Sequence, residues 1–147
     1  MMFICNGGDM NKYLLIALVC VSFPTFAAKK GLDCDNLRNT LEIKDCAALT
    51  LTSAQDELSK YLTASVEHNK DDPKLVQAID QAQQDWEVYM KAQCNAVYTQ
   101  WRDGTIRNVM ALDCKTQLTK ERTHDIWMHF LTYTNNTPPV LPEPPRN

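Results

Sequence analysis

The amino-acid sequence predicts an all-α fold: a small disulfide-linked bundle of about three helices with an extended proline-rich C-terminal tail. Three observations carry this expectation. Apolar residues recur at alternating three- and four-residue steps along most of the chain, which is the spacing of a buried helical stripe. No stretch alternates apolar and polar residues long enough to make a strand. An even set of four cysteines follows an export signal, the pattern of a disulfide framework.

Residues 1–27 read as an upstream extension plus a signal peptide. From Met10 the chain has Lys12 as the positive end, Tyr13 to Phe23 as the apolar core, and Thr25-Phe26-Ala27 as a small-x-small cleavage site. The apolar run is too short to span a membrane. Residues 1–9 carry acidic Asp9 and no positive charge, and Gly7-Gly8-Asp9 fits a translated ribosome-binding sequence, so Met10 is the expected initiator. A lipid-attachment cysteine wants a small residue before it; Cys20 follows Val19, so it is expected to leave with the signal, while Cys5 lies upstream of Met10.

Without residues 1–27 the chain keeps 120 of its 147 residues and the cysteines Cys34, Cys46, Cys94 and Cys114. Four cysteines allow three pairings, and the two local ones, Cys34–Cys46 and Cys94–Cys114, are favoured. Each would close a short loop and contribute about 3 kcal/mol in the chain-entropy account. Zinc is the other use of four cysteines, but no C-x2-C pair occurs, so no metal is expected. A chain of this size forms one helical domain, placed at residues 28–134, with the tail at 135–147. Loss of Lys12 and Asp9 leaves the net charge at −3. That excludes a strongly basic nucleic-acid binder, and no polybasic membrane patch is present.

Helix one is expected from about Thr40 to Glu67, burying Ala47, Leu51, Ala54, Leu58, Tyr61 and Ser65. Thr52-x-x-Gln55 has capping-box spacing, which suggests a kink or restart near Thr50. After the polar turn at 68–72, Asp72 is a good N-cap and Pro73 a good first residue for helix two. Leu75, Ile79, Ala82, Trp86, Tyr89, Gln93 and Ala96 carry its stripe to about Trp101. Asp103-Gly104 stops that helix, and Thr105 is the expected cap of a third, with Ile106, Met110, Cys114 and Leu118 at four-residue steps and Ile126, Trp127, Phe130 and Leu131 beyond. The segment TPPVLPEPPRN has five prolines in eleven residues and reads as a polyproline-type end. Its plain reading is an unstructured terminus; the sharper one is a docking segment for a partner.

No catalytic arrangement emerges. His124 and His129 are five residues apart, so they do not share a helical face, and His68 sits in a polar turn. Asp33, Asp35, Asp71 and Asp72 lie where caps and solvated loops want acids. Ser53, Ser59 and Ser65 lack nucleophile-elbow glycines, and there is no glycine-rich phosphate loop. Tyr61, Trp86 and Tyr89 fall on core stripes. Lys120, Glu121 and Arg122 read as a solvated face unless Arg122 reaches back to a carboxylate on helix two. Trp101, beside Arg102 and the Asp103-Gly104 turn, is harder to explain by packing and suits a protein-contact position.

Ala82-Gln83, Trp86, Tyr89 and Cys94, followed by Cys114, Leu118-Thr119 and Arg122, resemble the signature of the LprI-type lysozyme inhibitor family. Cys34 and Cys46 ahead of a long helix fit the same pattern, and the resemblance spans roughly Cys34 to Leu131. The chain departs from it at Met90 and Lys91, where the family usually has an arginine and an acid. The resemblance implies an exported, disulfide-linked helical domain, periplasmic or secreted; the residues themselves offer no cofactor site and no catalytic group. The family name implies inhibition of lysozyme, and the leading expectation is a binding protein that blocks a lysozyme or other muramidase by steric occlusion of its cleft. The expected contact is the turn bearing Trp101, Arg102, Asp103 and Thr105. The competing expectation is an envelope adaptor or structural protein that binds through its tail or a helical face.

Overall fold

The computed structural model describes residues 32–146. The signal-peptide, start-site, Cys5 and Cys20 readings lie outside these residues. Among the described residues there are three helices and no strand: α1 at Thr40–His68, α2 at Pro73–Gln100 and α3 at Arg107–Phe130. Helix α3 packs against both others, whereas α1 and α2 barely touch each other.

Local chemistry sets the helix starts. Asn39 caps α1 by accepting the Glu42 N–H at 3.0 Å, and the Glu42 carboxylate in return accepts the Arg38 N–H at 2.7 Å. Asp72 caps α2 by accepting the Leu75 N–H at 3.1 Å, with Pro73 at the first helical position. The expected kink near Thr50 does not occur. The Thr50 and Thr52 hydroxyls donate back to the Cys46 and Ala48 carbonyls at 3.0 and 3.1 Å, so Thr52 lies inside a continuous helix and caps nothing. Thr105 does not cap α3 either. That helix starts at Arg107, two residues later, and its N-cap position, Ile106, makes no side-chain bond.

The stripe of α1 follows expectation, with Cys46 replacing Ala47 as its first buried residue. The stripe of α2 does not. Ile79, Met90 and Cys94 are buried and Trp86 is half-buried, while Ala82, Tyr89, Gln93 and Ala96 face solvent. Tyr89 is 54% exposed and is not a core residue. On α3 the buried positions are Thr116, Thr119, Thr123, His124 and Ile126, and the expected Ile106, Met110, Cys114 and Leu118 are only half-buried. The three threonine hydroxyls donate to the carbonyls of Leu112, Lys115 and Thr119 at 2.7–3.0 Å. With their polar atoms satisfied inside the helix, these side chains pack as small β-branched residues.

The bonded pairs are Cys34–Cys46 and Cys94–Cys114, with Cα separations of 5.8 and 5.7 Å. The first ties the N-terminal segment to α1, and the second ties α2 to α3. The central cluster is Leu58, Tyr61, Ile126 and Leu131, flanked by Leu62, Trp86, Trp127, Phe130 and Leu141.

Leu141 belongs to the proline-rich segment, which is not a free end. The Val140 N–H donates to the Leu131 carbonyl at 2.8 Å, the Trp127 indole N–H to the Leu141 carbonyl at 2.9 Å, and the Tyr61 hydroxyl to the Pro142 carbonyl at 2.7 Å. Pro144 is buried as well. Residues 140–146 thus form a strap across α1 and α3.

Candidate functional site

The turn between α2 and α3 is built on a short hydrogen-bonded frame. Trp101 ends α2; its carbonyl accepts the Gly104 N–H at 2.8 Å, and the Gly104 carbonyl accepts the Arg107 N–H at 3.4 Å. A Cβ on Gly104 would lie 3.3 Å from the Trp101 carbonyl oxygen, so the turn closes this tightly because residue 104 has none. Arg107 reaches back to donate to the Arg102 carbonyl at 3.1 Å, and its guanidinium lies 5.2 Å from the centre of the Tyr98 ring. The Cys94–Cys114 bond braces the two helices beneath the turn. Arg107 is therefore part of the scaffold.

The side chains this frame presents differ in commitment. Trp101 is 40% exposed, a large aromatic surface at a chain reversal. Arg102 is exposed; its longest-range hold is a 3.4 Å bond from Nη1 to the Thr99 carbonyl, with Asp103 at 3.7 Å from Nε. Exposed pairs of that length contribute little. Asp103 and Thr105 are exposed too. The structure brings the four expected contact residues together on one hairpin tip, with Arg107, itself exposed, holding the turn. What such a tip can do chemically is bind: an aromatic face, a guanidinium and a carboxylate sit on a frame that needs little ordering on contact.

The other singled-out residues have structural partners. Arg122 does reach helix two, but to an amide: its Nε donates to the Gln83 side-chain oxygen at 3.1 Å. Burial pushes the Arg122 guanidinium below its ordinary value, against the opposing charge of Asp125, and its Nη2 is buried with no hydrogen-bond partner. His124 is buried and faces Glu143 at 3.2 Å and Arg146, tying the strap to α3. Arg146 and His124 hold the Glu143 carboxyl below its usual range. No sequence spacing points to that cluster, because its members lie 19 and 22 residues apart and meet only when the strap folds back. His68 rests edge-on against Tyr133. Met90, one of the departures from the family pattern, is buried with its sulfur 3.9 Å from the Thr119 hydroxyl, and Lys91 lies 3.9 Å from Glu87. Among the described residues no group of three or more His, Cys, Asp or Glu side chains is placed to hold a metal ion, and no helix is long and apolar enough to cross a membrane.

The chain matches the family described as "Lysozyme inhibitor LprI" over residues 34–126. It is also similar to an uncharacterized protein of Rhizobium meliloti (strain 1021), with 24% identity covering 76% of this chain and 88% of that one. No solved structure matches it.

Proposed function

The chain belongs to the LprI family of lysozyme inhibitors, and we propose that it is an exported protein, periplasmic or secreted, that blocks a lysozyme or other peptidoglycan-cleaving enzyme by occluding its cleft. The family match over residues 34–126 carries this reading. The place of contact is the α2–α3 tip. Inhibition by occlusion needs no reacting group, only a surface that docks with little loss of freedom. Trp and Arg are the residue types that concentrate binding energy in such contacts, and Trp101 and Arg102 stand side by side on a turn braced by Cys94–Cys114.

Purified protein in micromolar excess is assayed against c-type, g-type and i-type lysozymes on cell walls. The expected result is loss of activity of at least one class, with Trp101→Ala raising the inhibition constant roughly tenfold or more. Full activity of all three classes would overturn the reading. Inhibition that survives Trp101→Ala and Arg102→Ala together would leave the activity and remove the tip as its site. The adaptor reading through the tail has less support, because the carbonyls and apolar side chains of that segment are already used by the protein's own core.

A further inference from the structure

A peptidoglycan-cleaving cleft makes a chemical demand on whatever fills it. Glycoside hydrolases carry two carboxyls across the scissile bond, about 5 to 9.5 Å apart. One works as an ionised carboxylate; the other is a general acid that keeps its proton, its pKa raised to about 6 in lysozyme. A surface docked in the cleft strips water from both. A carboxylate left there without a donor, or an acid proton without an acceptor, opposes docking. The entering surface therefore needs a donor-only group for the first carboxyl and an acceptor-only group for the second, side by side.

The α2–α3 tip carries such a pair on consecutive residues. The Arg102 guanidinium donates and cannot accept, and the Asp103 carboxylate accepts and cannot donate. Their side chains are 67% and 93% exposed and stand 3.7 Å apart, from Nε to Oδ2. Arg102 has one further contact, the 3.4 Å bond from Nη1 to the Thr99 carbonyl, and Asp103 pairs with no charged group other than Arg102 among the described residues. Contacts of that length and exposure yield readily to a partner. The third charge at the turn, Arg107, is engaged by the Tyr98 ring and the Arg102 carbonyl. Beneath the pair the backbone is fixed by the 2.8 Å bond from the Gly104 N–H to the Trp101 carbonyl, so both groups are presented without a loop having to order.

We propose that Arg102 and Asp103 read the two cleft carboxyls of the target together: the Arg102 guanidinium pairs with the ionised carboxylate, and the Asp103 carboxylate accepts from the protonated general acid. The pairing rests on the inhibitor reading and adds a pH dependence to it. Once the general acid of the target ionises, Asp103 faces a second carboxylate in a site with little water, and the two repel. Docking thus raises the pKa of that acid further. Affinity is full below the value in the free enzyme and falls as pH rises above it, until the value in the complex is passed.

The test takes the lysozyme class that the full chain inhibits and measures the inhibition constant at about pH 5 and about pH 7.5, on either side of the general acid's pKa. The constant should rise roughly tenfold or more between the two. Asp103→Asn should remove most of that rise, because its amide can donate to the ionised acid, whereas Arg102→Ala should weaken inhibition at both pH values. Direct binding is then measured with two inactive variants of the enzyme. Changing its general acid to an amide should abolish the pH dependence, and changing its other carboxyl should weaken binding about as much as Arg102→Ala does. A chitooligosaccharide should compete with the chain. His68, His124 and His129 are retained in Asp103→Asn, so a pH response of their own would survive that substitution. A constant unmoved by pH, a rise that persists in Asp103→Asn, or inhibition not competitive with the saccharide would each overturn the pairing and leave inhibition itself standing. Full activity of every lysozyme class would overturn both.

Discussion

Replacing Tyr61 by Phe tests whether the C-terminal strap is part of the fold. The Tyr61 ring is 1% exposed and keeps all its packing in the variant, so no cavity opens. Only the hydroxyl is lost, together with its 2.7 Å bond to the Pro142 carbonyl. Pro142 is exposed, so water replaces the lost donor, and the larger penalty of a stranded buried acceptor does not apply. The expected cost is about 1 kcal/mol, or about 4 °C in the thermal midpoint for a domain of this size. Urea denaturation should show a lower midpoint at unchanged slope. The decisive measurement is a double-mutant cycle with a chain truncated after Asn136. Truncation removes the acceptor and leaves the hydroxyl beside an apolar cluster, so there Tyr61→Phe should be neutral or slightly stabilising. The coupling between the two changes is then about 1 kcal/mol. If Phe costs the same in the truncated and the full chain, the strap does not dock through this bond and the reasoning fails.

The same residue has an alkaline signature. Burial holds the Tyr61 phenol above its ordinary value, with Lys60 opposing and Glu57 adding to the shift. The unfolded chain therefore ionises first, and stability that is fully present below a pH of about 10 is lost as pH rises through the native value. Urea melts on either side of that pH should show the decline in the natural chain and a shallower one in Tyr61→Phe. The two disulfides should separate by function more than by stability. Their loops of 12 and 20 residues differ little in the chain-entropy account, so Cys34→Ala/Cys46→Ala and Cys94→Ala/Cys114→Ala should each cost about 3 kcal/mol. Only the second pair braces the tip, so only its loss should weaken the proposed lysozyme inhibition in protein that is still folded; equal weakening by both would contradict the proposed contact at the tip.

Helix limits were legible because their chemistry is local. Asp72-Pro73 marks the start of α2, and Asp103-Gly104 its end. Which face of α2 turns inward was not legible from periodicity, because the helix carries apolar residues on two stripes. Ala82, Tyr89 and Ala96 repeat as regularly as Ile79, Trp86 and Met90. The staple breaks that tie. A cysteine bonded to α3 must face α3, and counting back from Cys94 in steps of three and four reaches Met90, Trp86, Gln83 and Ile79, the side that is covered. On α3 the signal failed for another reason. Thr116, Thr119 and Thr123 count as polar in any hydropathy pattern, and only the bonds to carbonyls four residues back make them packing residues. The strap was hidden because proline composition describes the backbone of the segment and not what its carbonyls meet. The four tip residues were legible as an exposed turn, and Arg107, which holds that turn, was not, since its two contacts exist only after the reversal.

Stability is divided unevenly along the bundle, and the division bears on where function can sit. Gln55 and Ser59 of α1 share a cleft with Glu87 and Lys91 of α2, and Val66 and Glu67 share one with Asp80 and Gln83, so α1 and α2 run antiparallel, and the tip lies at the end where α1 begins. The large core residues Leu58, Tyr61, Ile126 and Leu131, with the strap closing over them, belong to the other end. Toward the tip the buried residues are Cys46, Leu51, Met90, Cys94 and Thr116, and of these only Cys94 is fully buried. Both disulfides are on that side, where apolar burial alone supplies least, as expected of a small domain that leans on covalent staples. A reducing environment should therefore loosen the tip half before it melts the Tyr61 half, since local stability follows buried contacts. The family match ends at residue 126, short of Leu131, Leu141 and Pro142, which complete the Tyr61 end. In this chain the matched region supplies the stapled tip, and residues beyond the match finish the core that holds it.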